Sequence, residues 1–213
     1  RFRQIKVRYH EMKDEFLTRQ WDILSPDKTK ARITVIVAGA IGSQVVLCLA
    51  KMGFKDLIVY DHDDVDAENV NCQWYGPKQV GSPKVLALAE IVESMTGVRI
   101  TGAKIKFEPT TSDNESVIVV AAVDSMEARK IIWERAKKFF KVKYFIDPRM
   151  SAEEGAIYTV DMENEAAQKA YEKSLYKDEE SVAEACTAKA TMYCAMLLGG
   201  QVAKNVKDIS VGE

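Results

Sequence analysis

Histidine is nearly absent from this chain, cysteine is sparse, and no apolar stretch runs long. Only His10 and His62 occur in 213 residues, which argues against a histidine-rich catalytic metal centre. The four cysteines, Cys48, Cys72, Cys186 and Cys194, form no CxxC pair and no regular framework, so no disulfide scaffold is expected. The first residues, Arg1-Phe2-Arg3-Gln4-Ile5-Lys6, have no apolar core behind them. The expectation is therefore a cytoplasmic protein with free thiols. No run approaches the ~18 apolar residues of a membrane helix, so no membrane partner is expected. An excess of charge is lacking too: 30 basic against 32 acidic residues leave a net charge of -2. That argues against nucleic-acid binding by field alone. Internal repeats and low-complexity segments are also missing.

What is present is an alternation of apolar runs and helix-like segments. The length suffices for one large domain with a full core, and 47% hydrophobic with 29% charged residues is an ordinary globular balance. The pattern predicts an α/β fold with a Rossmann-like, mainly parallel sheet flanked by helices, preceded by N-terminal helices and followed by a C-terminal helical tail. We divide the chain into an N-terminal helical segment (1–30), a nucleotide-binding core (31–150) and a crossover segment with a C-terminal helix of the same domain (151–213).

Residues 6–24 space Tyr9, Met12, Phe16, Trp21 and Ile23 as an amphipathic helix or helix pair does. Ile33–Val37 reads as a first strand, Ser43–Met52 as a helix stopped by Gly53, and Leu57–Tyr60 as a second strand. A long polar segment, 61–81, precedes a helix starting at Ser82-Pro83-Lys84 and running to about Met95; loops of that length are usually functional. Strands are expected at Ile100–Phe107, Ser116–Val123 and Val142–Ile146, with a helix over Ser125–Phe140. Ala156–Val160 is a short strand candidate. Glu163–Ala185 is a solvated helix face or loop, and Ala188–Val206 a long helix in which Gly199-Gly200 permits close packing or a kink.

The turn Gly39-Ala40-Ile41-Gly42 between the first strand and its helix places backbone N–H groups where a phosphate can sit. Asp61 ends the second strand about twenty residues further on, the spacing at which an acid accepts ribose hydroxyls. Asp124 and Asp147 likewise follow apolar runs. In an open sheet, ligands lie outside the carboxyl ends of the strands, so all three acids are expected to face one crevice. Lys84 at a helix start can meet phosphate oxygens, and Asp124 can hold Mg²⁺ between them. Together these residues favour a nucleoside triphosphate over a dinucleotide.

Gly39-Ala40-Ile41-Gly42-Ser43, the segment Asp61-His62-Asp63-Asp64-Val65-Asp66-Ala67-Glu68-Asn69-Val70-Asn71-Cys72-Gln73, then Gly81-Ser82-Pro83-Lys84 and Asp124 with Arg129 resemble the adenylyltransferases that activate ubiquitin-like proteins. That group, the ThiF/MoeB-like enzymes, includes the thiamine- and molybdopterin-synthesis activators and the ubiquitin-activating enzymes. The resemblance spans about residues 30–150. It implies an ATP- and Mg²⁺-dependent transferase, usually dimeric, that adenylates the C-terminal glycine carboxylate of a small ubiquitin-like (β-grasp) protein or peptide and releases pyrophosphate. By match, Asp61 would hold the ribose, Asn69 and Lys84 the phosphates, Gln73 would line the phosphate loop, and Asp124 would bind Mg²⁺. Asp63, the second acid of the D-x-D-x-V spacing, is counted with the nucleotide contacts.

The sequence also departs from that family. Its turn commonly reads Gly-x-Gly-Gly-x-Gly, whereas Val37 and Ala40 stand at the first and third glycine positions here. Cys72 stands where the loop commonly has an arginine, which removes a phosphate contact unless Lys78 or another basic residue replaces it. The zinc-binding CxxC pairs are absent, so no structural zinc is expected. Arg8-Tyr9 and Arg19-Gln20 both echo the N-terminal region whose arginine reaches the partner subunit's ATP.

Cys186, between the charged segment and the last helix, matches the position of a thioester- or persulfide-forming cysteine in some relatives; Cys72 is its rival. Arg149 after Asp147-Pro148 is the candidate for holding the partner's tail or carboxylate. Little sequence follows residue 150 to form a surface for a β-grasp body, so the expectation is either a peptide or compact partner, or a chain that is part of a longer one. Two other readings stand: an NAD-dependent oxidoreductase sharing the glycine turn and Asp61, and a catalytically degenerate subunit that pairs with an active one.

Overall fold

The computed structural model describes residues 15–108, 115–139, 141–176 and 190–213. Two β-branched runs make the centre of its sheet. β1 (Ile33–Ile36) and β4 (Ile118–Ala121) pair in parallel, and every residue of both is buried, as in strands covered by helices on both faces. β2 (Leu57–Tyr60) joins the other side of β1, and β3 (Thr101–Ala103) joins β2, both in parallel. β5 (Tyr144–Ser151) continues in parallel beyond β4, and β6 (Glu154–Asp161) pairs antiparallel with β5. The order β3-β2-β1-β4-β5-β6 is that of a doubly wound sheet, reversing direction between β1 and β4.

Successive strand residues feed opposite cores. Ile33, Val35, Ile118, Val120 and Ile146 pack with α1 (Ala40–Lys51), α2 (Lys84–Thr96) and α5 (Met192–Val211). Ile36, Val119, Ala121 and Phe145 pack with α3 (Met126–Ala136) and α4 (Glu165–Glu172). α3 and α4 begin where Ser125 Oγ and Asn164 Oδ1 accept from Ala128 N (3.2 Å) and Ala167 N (3.0 Å). α5 lies against α1 at Gly199: a Cβ there would stand 2.4 Å from Cβ of Gln44, so only glycine permits this approach.

The helix-strand order and the mainly parallel sheet match the expectation, with several differences in extent. Of the expected N-terminal helix or helix pair, Glu15–Gln20 form a short 3-10 helix and 21–24 a turn and bend, while 6–14, with Arg8, lie outside the described residues. α1 begins at Ala40, three residues before the expected Ser43, because the turn leads straight into the helix. Pro83 caps α2 instead of entering it. The predicted strand Ile100–Phe107 shortens to Thr101–Ala103, because β2, its ladder partner among the described residues, ends at Tyr60. The last helix starts at Met192 and continues to Val211. Cys186 lies outside the described residues.

The largest correction concerns Asp147. It does not end a strand: β5 runs through it to Ser151 because β6 supplies a new ladder, with Asp147 opposite Tyr158 and Arg149 opposite Ala156. Asp147 is on the face of β5 that carries Phe145 and is 0% exposed, so it faces the core beneath α3 and α4 and not a crevice. No described helix is long and apolar enough to cross a membrane.

Candidate functional site

The reversal of strand order puts the carboxyl ends of β1, β2 and β4 side by side, and the turn after β1 sits at their centre. Val37 leaves the strand at φ +73°, a left-handed conformation rare for a β-branched residue and worth about 1–3 kcal/mol of strain. The family turn has glycine at this position; here the same bend is made by valine. At Gly42, a Cβ would stand 1.9 Å from the carbonyl oxygen of Val37, so glycine is obligatory there. Gly39 caps α1 without any side-chain hydrogen bond. The first amides of this twelve-residue helix therefore lack a capping side chain, as a phosphate-binding N-terminus requires.

Asp61, 2% exposed, is stitched to that turn. Its Oδ2 accepts from Ala38 N and its Oδ1 from Asp63 N, each at 2.8 Å. The polar segment that follows folds back on itself: Val65 N donates to Ser82 O, Gly81 N to Val65 O and Lys84 N to Asp63 O. This pairing brings together two residues distant in sequence. Lys84, 6% exposed at the start of α2, donates from Nζ to Asp63 Oδ2 at 2.9 Å. Burial raises the Asp63 pKa, but the hydrogen bond and charge of Lys84, with His62, more than offset that and hold it below the ordinary value. One potential ligand atom each from Asp61, His62 and Asp63 lies within 4.8 Å of the others.

Tyr75, which no sequence motif singles out, joins these parts. Its hydroxyl donates to Ala38 O at 2.8 Å and lies 3.4 Å from Lys84 O, so the starts of α1 and α2 are neighbours. Burial and the Asp61 carboxylate push its phenol far above the ordinary range and keep it a donor. An aromatic residue inside a polar loop was the available signal. Gln73 is 9% exposed with an unpartnered buried Oε1, while Asn69 Oδ1 accepts from Asp66 N at 2.9 Å and secures the short 3-10 turn Ala67–Asn71. Cys72 is buried, and desolvation pushes its thiol up despite the nearby Lys84 charge, so it supplies neither a cation nor a ready thiolate. Burial pushes the thiols of Cys48 and Cys194 up as well.

Asp124 lies after β4, exposed, and its carboxylate has no partner among the described residues. A single free carboxylate at this edge fits Mg²⁺, which usually takes one or two carboxylates and completes its shell with phosphate oxygens and water. Arg129, absent from the expected contacts, is buried and donates to the carbonyls of Val123 (2.5 Å) and Ser125 (3.3 Å) and to Asp147 Oδ1 (2.6 Å). Arg149 occupies the other Asp147 oxygen, Oδ2, at 2.7 Å and donates to Ser174 O and Oγ. Its guanidinium also lies 4.2 Å from the Tyr158 ring centroid. Arg149 is thus engaged inside the fold, beside α4, and is not brought to the glycine turn.

Arg19 is exposed, next to Gln20, whose side chain donates to Met52 O just past the end of α1. The glycine turn is at the opposite end of that helix, roughly 18 Å away at the usual rise per residue.

The strand order and flanking helices define an α/β domain of the doubly wound class. The ThiF family model matches residues 25–213, and the chain belongs to the ThiF family, related to the ubiquitin-activating enzymes. The NEDD8-activating enzyme E1 catalytic subunit of Dictyostelium discoideum is 34% identical over 105 residues, covering 47% of this chain and 24% of that protein. Ubiquitin-like modifier-activating enzyme 5 of Caenorhabditis briggsae is 31% identical over 123 residues, covering 50% and 27%. The chain thus spans about a quarter of the length of these curated relatives. Among solved structures, PaaA matches with a TM-score of 0.71 at 20% identity, over 99% of this chain and 78% of that one. The E. coli tRNA N6-threonylcarbamoyladenosine dehydratase, TcdA, matches with a TM-score of 0.71 at 15% identity, over 97% and 98%. At these identities the two structures establish the shared fold.

Proposed function

We propose that this chain transfers an adenylyl group from ATP to the C-terminal carboxylate of a small β-grasp protein or of a peptide ending in glycine, releasing pyrophosphate. The observation that carries the reading is the convergence at one sheet edge of the α1 N-terminus without a side-chain cap, the buried ammonium of Lys84 and the turn-locked Asp61. Family membership is consistent with adenylyltransferase chemistry, and a structure of E. coli MccB with AMPCPP and MccA shares the fold at a TM-score of 0.60.

In this reading the Gly39–Gly42 turn, with Ala40 and Ile41 between, offers its amides to the phosphates. Asp61 accepts from the ribose, and Lys84 exchanges Asp63 for phosphate oxygens. Asn69 and Gln73, the latter with its spare buried oxygen, face the same nucleotide. Mg²⁺, held by Asp124, would neutralise phosphate charge in the transition state. No general base is required, since a terminal carboxylate with a pKa of about 3.5 is already ionised at neutral pH. Positioning and charge neutralisation therefore account for catalysis.

Arg19, at the far end of α1 from its own nucleotide edge, suits a role in a partner subunit's site within a homodimer or heterodimer. The role of Arg149 toward the partner's tail would require it to leave Ser174. Where a thioester follows adenylation, Cys186 is the proposed nucleophile, its thiolate attacking the adenylated carbonyl and releasing AMP, because burial disfavours the thiolate of Cys72. One observation favours a second reading, a subunit that needs an active partner: Cys72 puts an uncharged thiol where relatives of this kind carry an arginine.

ATP–pyrophosphate exchange by the purified chain, with Mg²⁺ and a panel of β-grasp proteins and glycine-ended peptides, tests the proposal. Exchange that depends on one panel member is the expected result. ATP binding without exchange would favour the subunit reading, and NAD binding without ATP binding would point to an oxidoreductase and overturn the proposal.

A further inference from the structure

Asp124 is an exposed residue on a loop, yet the backbone on both sides of it is held from beneath. Arg129 Nη2 donates to the carbonyl of Val123 and Nη1 to the carbonyl of Ser125, the residues immediately before and after Asp124. Its Nε is fixed by Asp147 Oδ1 at 2.6 Å, and that carboxylate is fully buried. A guanidinium is a rigid planar fork, so three donors engaged at once fix both its position and its plane. Lysine has no such fork and cannot span two carbonyls and a carboxylate in one plane.

We infer that Arg129 is a positioning residue for the cation: by clamping the carbonyls of Val123 and Ser125 it presents the Asp124 carboxylate in a fixed orientation for Mg²⁺ bound with the nucleotide. This rests on the proposed role of Asp124. Arg129 is buried and engaged by these protein groups, so it would act through Asp124. Asp147, read from sequence as a third acid of the crevice, instead anchors this arginine. Groups that orient a metal's direct ligands typically alter affinity 10–100-fold when replaced.

The test is the Mg²⁺ dependence of ATP binding, measured by calorimetry on the full chain without any acceptor, with Mn²⁺ as a second, spectroscopic probe. Arg129→Lys should raise the Mg²⁺ concentration required for half-maximal enhancement roughly tenfold, while ATP affinity without a divalent cation stays unchanged. Tyr171→Phe is the control. It removes the hydroxyl that donates to Asp147 Oδ2 at 3.0 Å but leaves both carbonyl contacts, so its Mg²⁺ requirement should match the wild type even where its thermal midpoint falls. Should Arg129→Lys fail to fold, Asp147→Asn, which keeps Arg129 but weakens its anchor, should shift the Mg²⁺ requirement in the same direction. A wild-type Mg²⁺ requirement in the folded variant, or an equal shift in Tyr171→Phe, would overturn the inference alone. Wild-type ATP binding that ignores Mg²⁺ would overturn the role of Asp124 and the inference with it.

Discussion

Lys84 and Asp63 form an ion pair of unequal partners: the ammonium is buried, the carboxylate is half exposed, and they are 2.9 Å apart. The pair fixes the position of the Lys84 ammonium. Because Lys84 lowers the Asp63 pKa below its ordinary 3.8, the pair stabilises the fold above that pH. The stabilisation is lost as the pH falls through the lowered value. At this exposure it amounts to about 0–1 kcal/mol. Asp63→Asn should therefore unfold slightly more easily than the wild type at neutral pH, and the gap should close below pH 3.8. Urea unfolding midpoints across that range provide the check; a gap that widens in acid would contradict the assignment.

The turn after β1 contains one strained residue and one irreplaceable one. Val37→Gly removes the strain of φ +73° at the cost of greater freedom in the unfolded chain, so its stability should equal or exceed the wild type by up to about 1 kcal/mol. Gly42→Ala places a Cβ 1.9 Å from the Val37 oxygen and should cost more than about 3 kcal/mol, with loss of ATP binding. Thermal denaturation of both variants distinguishes a strained turn from a merely unusual sequence.

Adjacent glycines in α5 should respond in opposite directions. Gly199→Ala collides with Gln44 and forces α5 away from α1, an expected loss of about 1–3 kcal/mol. Gly200→Ala meets open space and should gain up to about 1 kcal/mol from helix propensity. Equal effects in thermal unfolding would contradict the observed contact.

Asp124→Ala removes an exposed side chain with no partner among the described residues, so thermal stability should change by less than about 0.5 kcal/mol. Mg²⁺-dependent ATP affinity should nevertheless be lost. Calorimetric titration with and without Mg²⁺ measures this directly, and unchanged affinity would remove Asp124 from the site.

Much of the fold was legible from local pattern. The runs 33–36, 57–60 and 118–121 are apolar and β-branched, and the glycine turn, the acid after the second strand and the lysine at a helix start lie at spacings that depend on few residues. Asp61 could be placed beside the turn because strand, helix and strand form one unit in sequence. Cys186 remains a sequence proposal, since it lies outside the described residues.

Other features depend on which elements become neighbours. Asp147 looked like a strand end because it follows the apolar run Val142–Ile146, yet β6 arrives to extend the ladder, and two arginines with Tyr171 enclose the carboxylate. Arg129 and Asp147 are 18 residues apart, and Lys84 and Asp63 are 21, so no local periodicity pairs them. The order of residues along the chain set the strands, the helices and the chemistry available at their ends. The tertiary fold decided which charged groups remain at the carboxyl edge of the sheet and which are buried to hold it. A charge is tolerated in the interior where the fold brings partners to it, as Arg129, Arg149 and Tyr171 come to Asp147.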